Sequence, residues 1–383
     1  MKKSISFFCV LFLISLFFLS CVPAFAAEPD GQITVRARVE EVVSDEMAST
    51  SYSGGEITTR VLTLRVRVLE GAFEGQTALI RQVFDEISLP SAYPAKAGDL
   101  LFVTLELDEQ NLLVGNAADY VRDLPLALLG GGFLLFLILF GRQKGVKTVL
   151  SLAVTCLVVF GLFFPLAVRG INPVWLSLLC AALMTGFTLF LVCGFTRKAC
   201  SAILGCLGGL SVAGILAAVF SYAMRLSGIV DEEAAFLRFI SDEFVLDFKG
   251  LLFAAIIIGA SGAAMDVAVS IASSLDELAQ KAPDLSARQL FSSGVVIGRD
   301  IMGTMSNTLI LAYVGGAIHL ILLLYAYPVP FSHLINRETV AAEILIALCG
   351  SMGMLSAIPL TALISSLLHH RAVPPISPGK SPE

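Results

Sequence analysis

The sequence predicts an all-α polytopic membrane domain of about seven transmembrane helices, preceded by a small exported all-β domain, an OB-like barrel. Three observations carry this. Over 383 residues the chain is 56% hydrophobic and 15% charged, with a mean hydropathy of +0.85, whereas soluble domains carry about 25% charged residues. Period-two alternation of apolar and charged residues is confined to residues 27–123. From Leu124 onward the chain becomes a series of long apolar runs.

The N-terminus carries Lys2 and Lys3, an apolar stretch ISFFCVLFLISLFFLS, and Ala24-Phe25-Ala26, an A-x-A pattern. This predicts a secretory signal, residues 1–26, cut after Ala26. The exported domain, 27–123, alternates as half-buried antiparallel strands do, over 33–43, 61–71, 78–84, 100–107 and 112–121. A turn at SYSGGE separates the first two, and Gly98-Asp99 feeds the fourth. Five short strands suit a small barrel. It contains no cysteine, so no disulfide framework or zinc site is expected there. A net charge of −6 without a basic stripe excludes nucleic acid as a partner.

Apolar spans follow near 124–140, 148–168, 174–195, 200–223, 250–273, 303–326 and 342–367. Each is long enough to cross roughly 30 Å of hydrocarbon. Orientation follows from Lys and Arg. With the barrel outside, the inner connections and tail hold Arg142, Lys144, Lys147, Arg197, Lys198, Lys281, Arg288, Arg299, Arg371 and Lys380. The outer side holds only Arg169, Arg225, Arg238, Lys249 and Arg337. This bias agrees with the signal and predicts a multi-pass protein of the bacterial cell membrane with a cytoplasmic tail. In the outer link, Phe236, Leu237, Ile240, Phe244 and Val245 recur at helical spacing among acids, as in an interfacial helix. The transmembrane helical domain ends at 368, and the tail 369–383 reads as disordered. Its His369 and His370 are too isolated for a metal site.

The chemistry lies in the last three spans. The fifth contains GASGAAMDVAVSIASSLDEL, with Asp266 among small residues. A carboxylate at the centre of a bilayer helix costs roughly 2.5–3.5 kcal/mol on insertion scales. Helical spacing aligns Gly259, Gly262, Ala263, Asp266, Ser270 and Ser273. Gly259, Gly262 and Ala263 would let another helix approach closely. In segment 283–302, Gly294 and Gly298 interrupt an amphipathic helix, in the manner of an interfacial or re-entrant element. The sixth span opens with Asp300, Thr304, Asn307 and Thr308 on one face. In an antiparallel pair these reach the depth of Asp266, and a shared polar site of Asp266, Ser270, Asp300, Thr304 and Asn307 follows.

GASGAAMDVAVSIASSLDEL and SSGVVIGRDIMGTMSNTLILAYVGG closely resemble the signature segments of the YibE/F family of bacterial multi-span membrane proteins. The resemblance extends over nearly the whole chain and implies a membrane protein of permease type, without supplying catalytic residues.

Two functions fit these residues and a third does not. The first is a permease moving a small solute or ion through the polar site, acting as a homo-oligomer or with a partner membrane subunit. The second is a non-catalytic envelope structural or assembly protein in which Asp266 locks helix packing. The third, an intramembrane enzyme, lacks its constellation: there is no Ser/His pair, HExxH or phosphate-binding Gly loop. The expectation is therefore no enzyme, no metal and no cofactor.

Overall fold

The computed structural model describes residues 33–52, 55–84, 93–107, 113–230, 232–240, 246–326 and 330–370. The expected signal and the chain beyond His370 lie outside the described residues. Two compact units meet between Phe136 and Leu137.

In the first unit the alternating segments form strands β1 (Ile33–Tyr52), β2 (Gly55–Val68), β3 (Thr77–Phe84), β4 (Leu100–Leu107) and β5 (Leu113–Tyr120). They hydrogen-bond in the order β1-β2-β3-β5-β4, and β1 pairs back onto β4 to close a barrel. All pairs are antiparallel except β3 with β5. The inward residues follow the period-two pattern: Val35, Ala37 and Val39, then Leu62, Leu64, Val66 and Val68, then Leu101, Val103 and Leu105. Their outward neighbours carry ion pairs between β1 and β2, including Arg60–Asp45 and Arg67–Glu40. Gly115 of β5 lies so close to β4 that a Cβ there would meet the Thr104 carbonyl oxygen at 2.0 Å. The first two strands run further than the alternation predicted, because ASTSY and GEITT pair with each other. These Thr-rich stretches favour strand without an apolar alternation to announce it.

The helical portion comprises α1 (Asp123–Cys156), a π-helical stretch (Leu157–Phe163), α2 (Phe164–Val168), α3 (Pro173–Cys193), α4 (Arg197–Ala223) and α5 (Glu232–Ile240). It continues through α6 (Phe248–Lys281), α7 (Ala287–Gly316), α8 (Ile318–Ala326), α9 (Phe331–Ile335) and α10 (Glu338–His370). Five helical segments are long and apolar enough to cross a membrane, or six if the pair α7–α8, bent by 65°, is one span. The expected count was seven. One difference lies in Asp123–Val168, a single 46-residue segment. Its helix breaks at Arg142, with φ 50° and ψ −123°. A Cβ on Gly145 would lie 2.1 Å from the Leu137 carbonyl oxygen. Residues eight apart on a straight helix are about 12 Å apart, so the chain reverses here.

In the second unit α3, α4, α6 and α10 enclose the core. Small residues set their spacing. Gly205 and Gly209 of α4 lie against Thr361, Ala357 and the Gly353 carbonyl of α10, with Gly209 only 2.5 Å from that oxygen when given a Cβ. On α6 the buried face is alanine-rich: Ala260, Ala264, Ala268 and Ala272. Helix starts are capped by Asn172, Thr196 and Asp247 side chains and by a Ser286–Gln289 capping box.

Two expectations change here. The segment 283–302 is not interrupted at its glycines, since α7 is continuous from Ala287 to Gly316. Gly294 packs on Ala362 and Leu275, and Gly298 on Ile358 and Ile271, so these glycines admit α10 and α6 rather than break the helix. His369 and His370, read as part of the tail, belong to the last helix.

Candidate functional site

Helices α6 and α7 form an antiparallel hairpin. Gly294 meets Leu275, Gly298 meets Ile271, and the Tyr313 hydroxyl lies 3.6 Å from a Cβ built on Gly259. Interpolating along these contacts puts Thr304 at the level of Asp266. The shared depth expected of the two helices is therefore present.

The side chains do not converge. Gly259, Gly262, Asp266 and Ser270 lie on one exposed line along α6, with Ala263 at its half-buried edge. The helix instead buries Ala260, Ala264, Val267, Ala268 and Ile271. Among the described residues nothing comes within 4 Å of a Cβ on Gly262, so Gly262 admits none of the described helices. Of the stripe assigned to helix packing, Gly262 is open, whereas Gly259 lies against the Tyr313 hydroxyl of α7 and Ala263 packs on the cluster shared by α6, α7 and α10; the approach of α4 to α10 is closer. Sequence could not separate the two stripes, because both are built of small residues.

On α7 the residues facing α6 and α10 are Leu290, Gly294, Gly298, Ile301, Met305 and Leu309. Asp300, Thr304, Asn307 and Thr308 are exposed on the remaining surface. The hydroxyls are used within their own helices: Ser270 Oγ donates to the Asp266 carbonyl at 2.8 Å, Thr304 Oγ1 to the Ile301 carbonyl at 2.9 Å. Such bonds satisfy a hydroxyl where no water is available. Among the described residues no hydrogen bond joins Asp266 or Ser270 to Asp300, Thr304 or Asn307.

Three polar features escaped the sequence reading. The Tyr313 hydroxyl is wedged between Gly259 of α6 and Gly350 of α10; it and the Ser351 and Thr361 hydroxyls are buried and have no hydrogen-bond partner among the described residues. At the start of α10, Glu338 Oε1 accepts from the Ser227 backbone N–H, its hydroxyl and the Gly228 N–H. At the far ends of α6 and α10, His369 Nε2 lies 3.0 Å from Asp276 Oδ1, while Gln280 donates to Asp276 Oδ2. The last pair was legible in principle. The predicted topology runs both helices in the same direction, so their C-terminal ends share a level. Among the described residues no group of three His, Cys, Asp or Glu could hold a metal ion.

The arrangement offers a helix of membrane-spanning composition with an ionisable group on its uncovered side. Neither a curated protein nor a solved structure matches the chain. A family model described as YibE/F-like protein matches residues 129–371, nearly all of the helical portion. The chain is a multi-helix membrane protein that belongs to the YibE/F-like family.

Proposed function

We propose that the protein is a permease that moves a small solute or ion along the exposed sides of α6 and α7, past Asp266 and Ser270 on one helix and Asp300, Thr304 and Asn307 on the other. One observation carries the proposal. Asp266 sits on the uncovered side of a span, where lipid contact would cost roughly 2.5–3.5 kcal/mol. Water or another protein surface must meet it. Ionisable groups so placed mark ion and substrate paths. The open space at Gly262 supports completion of that path by a second copy or a partner membrane subunit, because small residues admit a close helix.

The reversal at Arg142 supports counting Asp123–Val168 as two spans, which with the bent α7–α8 pair restores seven. A seven-span chain puts the barrel outside and the tail in the cytoplasm of a bacterial cell, in keeping with the Lys/Arg bias. The barrel's closed order and its parallel β3–β5 pair support an OB-like module, here without enzymatic chemistry.

An assembly role is the second reading, favoured by the open space at Gly262. Asp266 would then lock a helix of a neighbouring molecule. The test is solute and ion flux in proteoliposomes, comparing wild type with Asp266→Asn. Asparagine keeps shape and hydrogen bonding but cannot ionise. The permease reading expects flux to be lost with expression and helix content unchanged. Unchanged flux in the variant, or a wild type without flux across a broad ion and solute panel, leaves the assembly reading.

A further inference from the structure

A second site lies away from Asp266, where the C-terminus of α4 meets the starts of α3 and α6. A cavity of about 360 Å³ opens there. Its floor is apolar, formed by Leu226, Leu252 and Ile256. Arg225 and Lys249 line it as well, and both are exposed at its mouth. Among the described residues neither has an ion-pair partner within 4.0 Å. The carboxylate that also lines the cavity, Asp247, forms no ion pair with either among the described residues, which leaves the lining with two cations against one anion. Asp247 Oδ1 accepts from the Gly250 N–H at 3.0 Å, and its Oδ2 also turns toward the helix start.

Arg225 is held in an unusual way. Its φ is +56°, a left-handed backbone that a long side chain rarely adopts. The following turn fixes it there. Leu226 and Gly228 are buried, and Ser227 and Gly228 donate to Glu338. Gly228, with φ +87°, has no room for a side chain, since a Cβ would meet the Phe248 carbonyl carbon and oxygen at 2.4 Å.

The level of the cavity in the membrane is marked by aromatics. Tyr222 lines the mouth at 88% exposure, and Trp175, the only tryptophan of the chain, follows the lining residue Val174 at 72% exposure. Exposed Trp and Tyr at the ends of spans mark the lipid–water interface. A cavity at that level with a cationic mouth and an apolar floor matches an amphiphile with an anionic head. Its volume equals about twelve waters at roughly 30 Å³ each. That accommodates a glycerophosphate head and leaves the acyl chains in the bilayer.

We propose that this cavity binds the headgroup of an anionic phospholipid, with Arg225 and Lys249 contacting the phosphate. The chemistry recognised is a phosphodiester without a compensating cation, the chemistry that basic pockets between spans bind at the inner leaflet; in the proposed topology this pocket meets it at the outer one. The guanidinium forks two oxygens while the ammonium acts as a point charge.

The test uses the full chain in neutral detergent micelles, titrated with short-chain phosphatidylglycerol, phosphatidylcholine or inorganic phosphate, and read by thermal protection and native mass spectrometry. Phosphatidylglycerol should saturate the protein and raise its melting temperature. Phosphatidylcholine should bind at least about tenfold more weakly, as should phosphatidylglycerol to the double variant Arg225→Gly, Lys249→Gln. Glycine suits the left-handed backbone at 225, so this variant removes charge without adding strain. Lys249→Arg should retain binding. Equal affinity for the two lipids overturns the proposal, as does unchanged phosphatidylglycerol binding by a folded double variant. Full protection by inorganic phosphate, with nothing added by the lipid, assigns the site to a free anion and removes the lipid. Should the double variant not fold, Lys249→Gln alone decides by the same criterion, because its side chain is exposed.

Discussion

Replacing Gly209 by alanine tests the packing of the helical core most directly. The added Cβ would lie 2.5 Å from the Gly353 carbonyl oxygen, 2.9 Å from the Ala357 Cβ and 3.0 Å from the Ala357 backbone nitrogen. The first distance is about 0.9 Å inside the 3.4 Å where ordinary contact begins. Two of the three atoms are backbone of α10 and cannot rotate away, so the helices must part along their contact. Overpacking of this kind costs about 1–3 kcal/mol. Alanine returns about 1 kcal/mol of helix propensity over glycine. The net expectation is a loss of up to about 2 kcal/mol. Gly262→Ala supplies the control: nothing lies within 4 Å of its Cβ, so the propensity gain of about 0.5–1 kcal/mol stands alone. The assay is thermal denaturation of each full-length variant as a monomer in detergent, followed by helical circular dichroism. Gly209→Ala should melt below wild type, and Gly262→Ala at or above it. The reverse order would refute the assignment of the tight interface to α4 and α10.

Further expectations concern the barrel and the topology. Gly115→Ala drives a Cβ to 2.0 Å from the Thr104 carbonyl oxygen, and chemical denaturation of the excised segment 27–123 should show a loss of about 1–3 kcal/mol. Arg60 donates to both Asp45 oxygens at 2.8 and 2.7 Å and holds that carboxyl below its ordinary value of 3.8, through the hydrogen bond first. Because the folded value is the lower one, this contribution is complete above the unfolded value and is lost as pH falls through the folded one. Asp45→Asn should therefore flatten the acid limb of the excised barrel's stability curve, and an unchanged limb would contradict the pairing. A reporter active only outside the cell, fused after Lys380, should stay inactive, and activity there would reverse the proposed topology.

The barrel was legible because one face is buried. ITVRARV and VLTLRVRV alternate so strictly that only strands place Val35, Ala37, Leu62 and Leu64 inside. A barrel was legible from five short strands, but which strands close it was not, since pairing of β1 with β4 depends on register across 60 residues or more of chain. In the helical part, apolar length revealed the spans but not their faces. In lipid the outward side of a helix is apolar as well, so α4 and α6 each offer more than one packing stripe. The sequence points to Gly259, Gly262 and Ala263, of which Gly262 is open, whereas Gly205 and Gly209 lie at the close contact with α10. Likewise Gly294 and Gly298 read as breaks by soluble-protein habit, while between close membrane helices a glycine is a point of contact. Asp266 was legible as an anomaly, although its neighbours on α7 turn to another surface.

The pairing of α4 with α10 bears on the order in which the molecule comes into being. At a synthesis rate of about 10 residues per second, roughly ten seconds separate the emergence of α4 from that of Glu338. Throughout that interval Gly205 and Gly209 have no α10 to lie against, and Ala217 lacks its cluster partners Ala342 and Leu345. The domain cannot complete its interior from its N-terminal end. A chain halted anywhere before Glu338 would carry every earlier span into the membrane and still leave an unfilled slot along α4 and α6. Such a slot is a recognisable mark of an unfinished protein. Helix α10, made after the helices it packs against, thus acts as the fold's closing piece, and a stop before Glu338 should remove the whole domain rather than trim it.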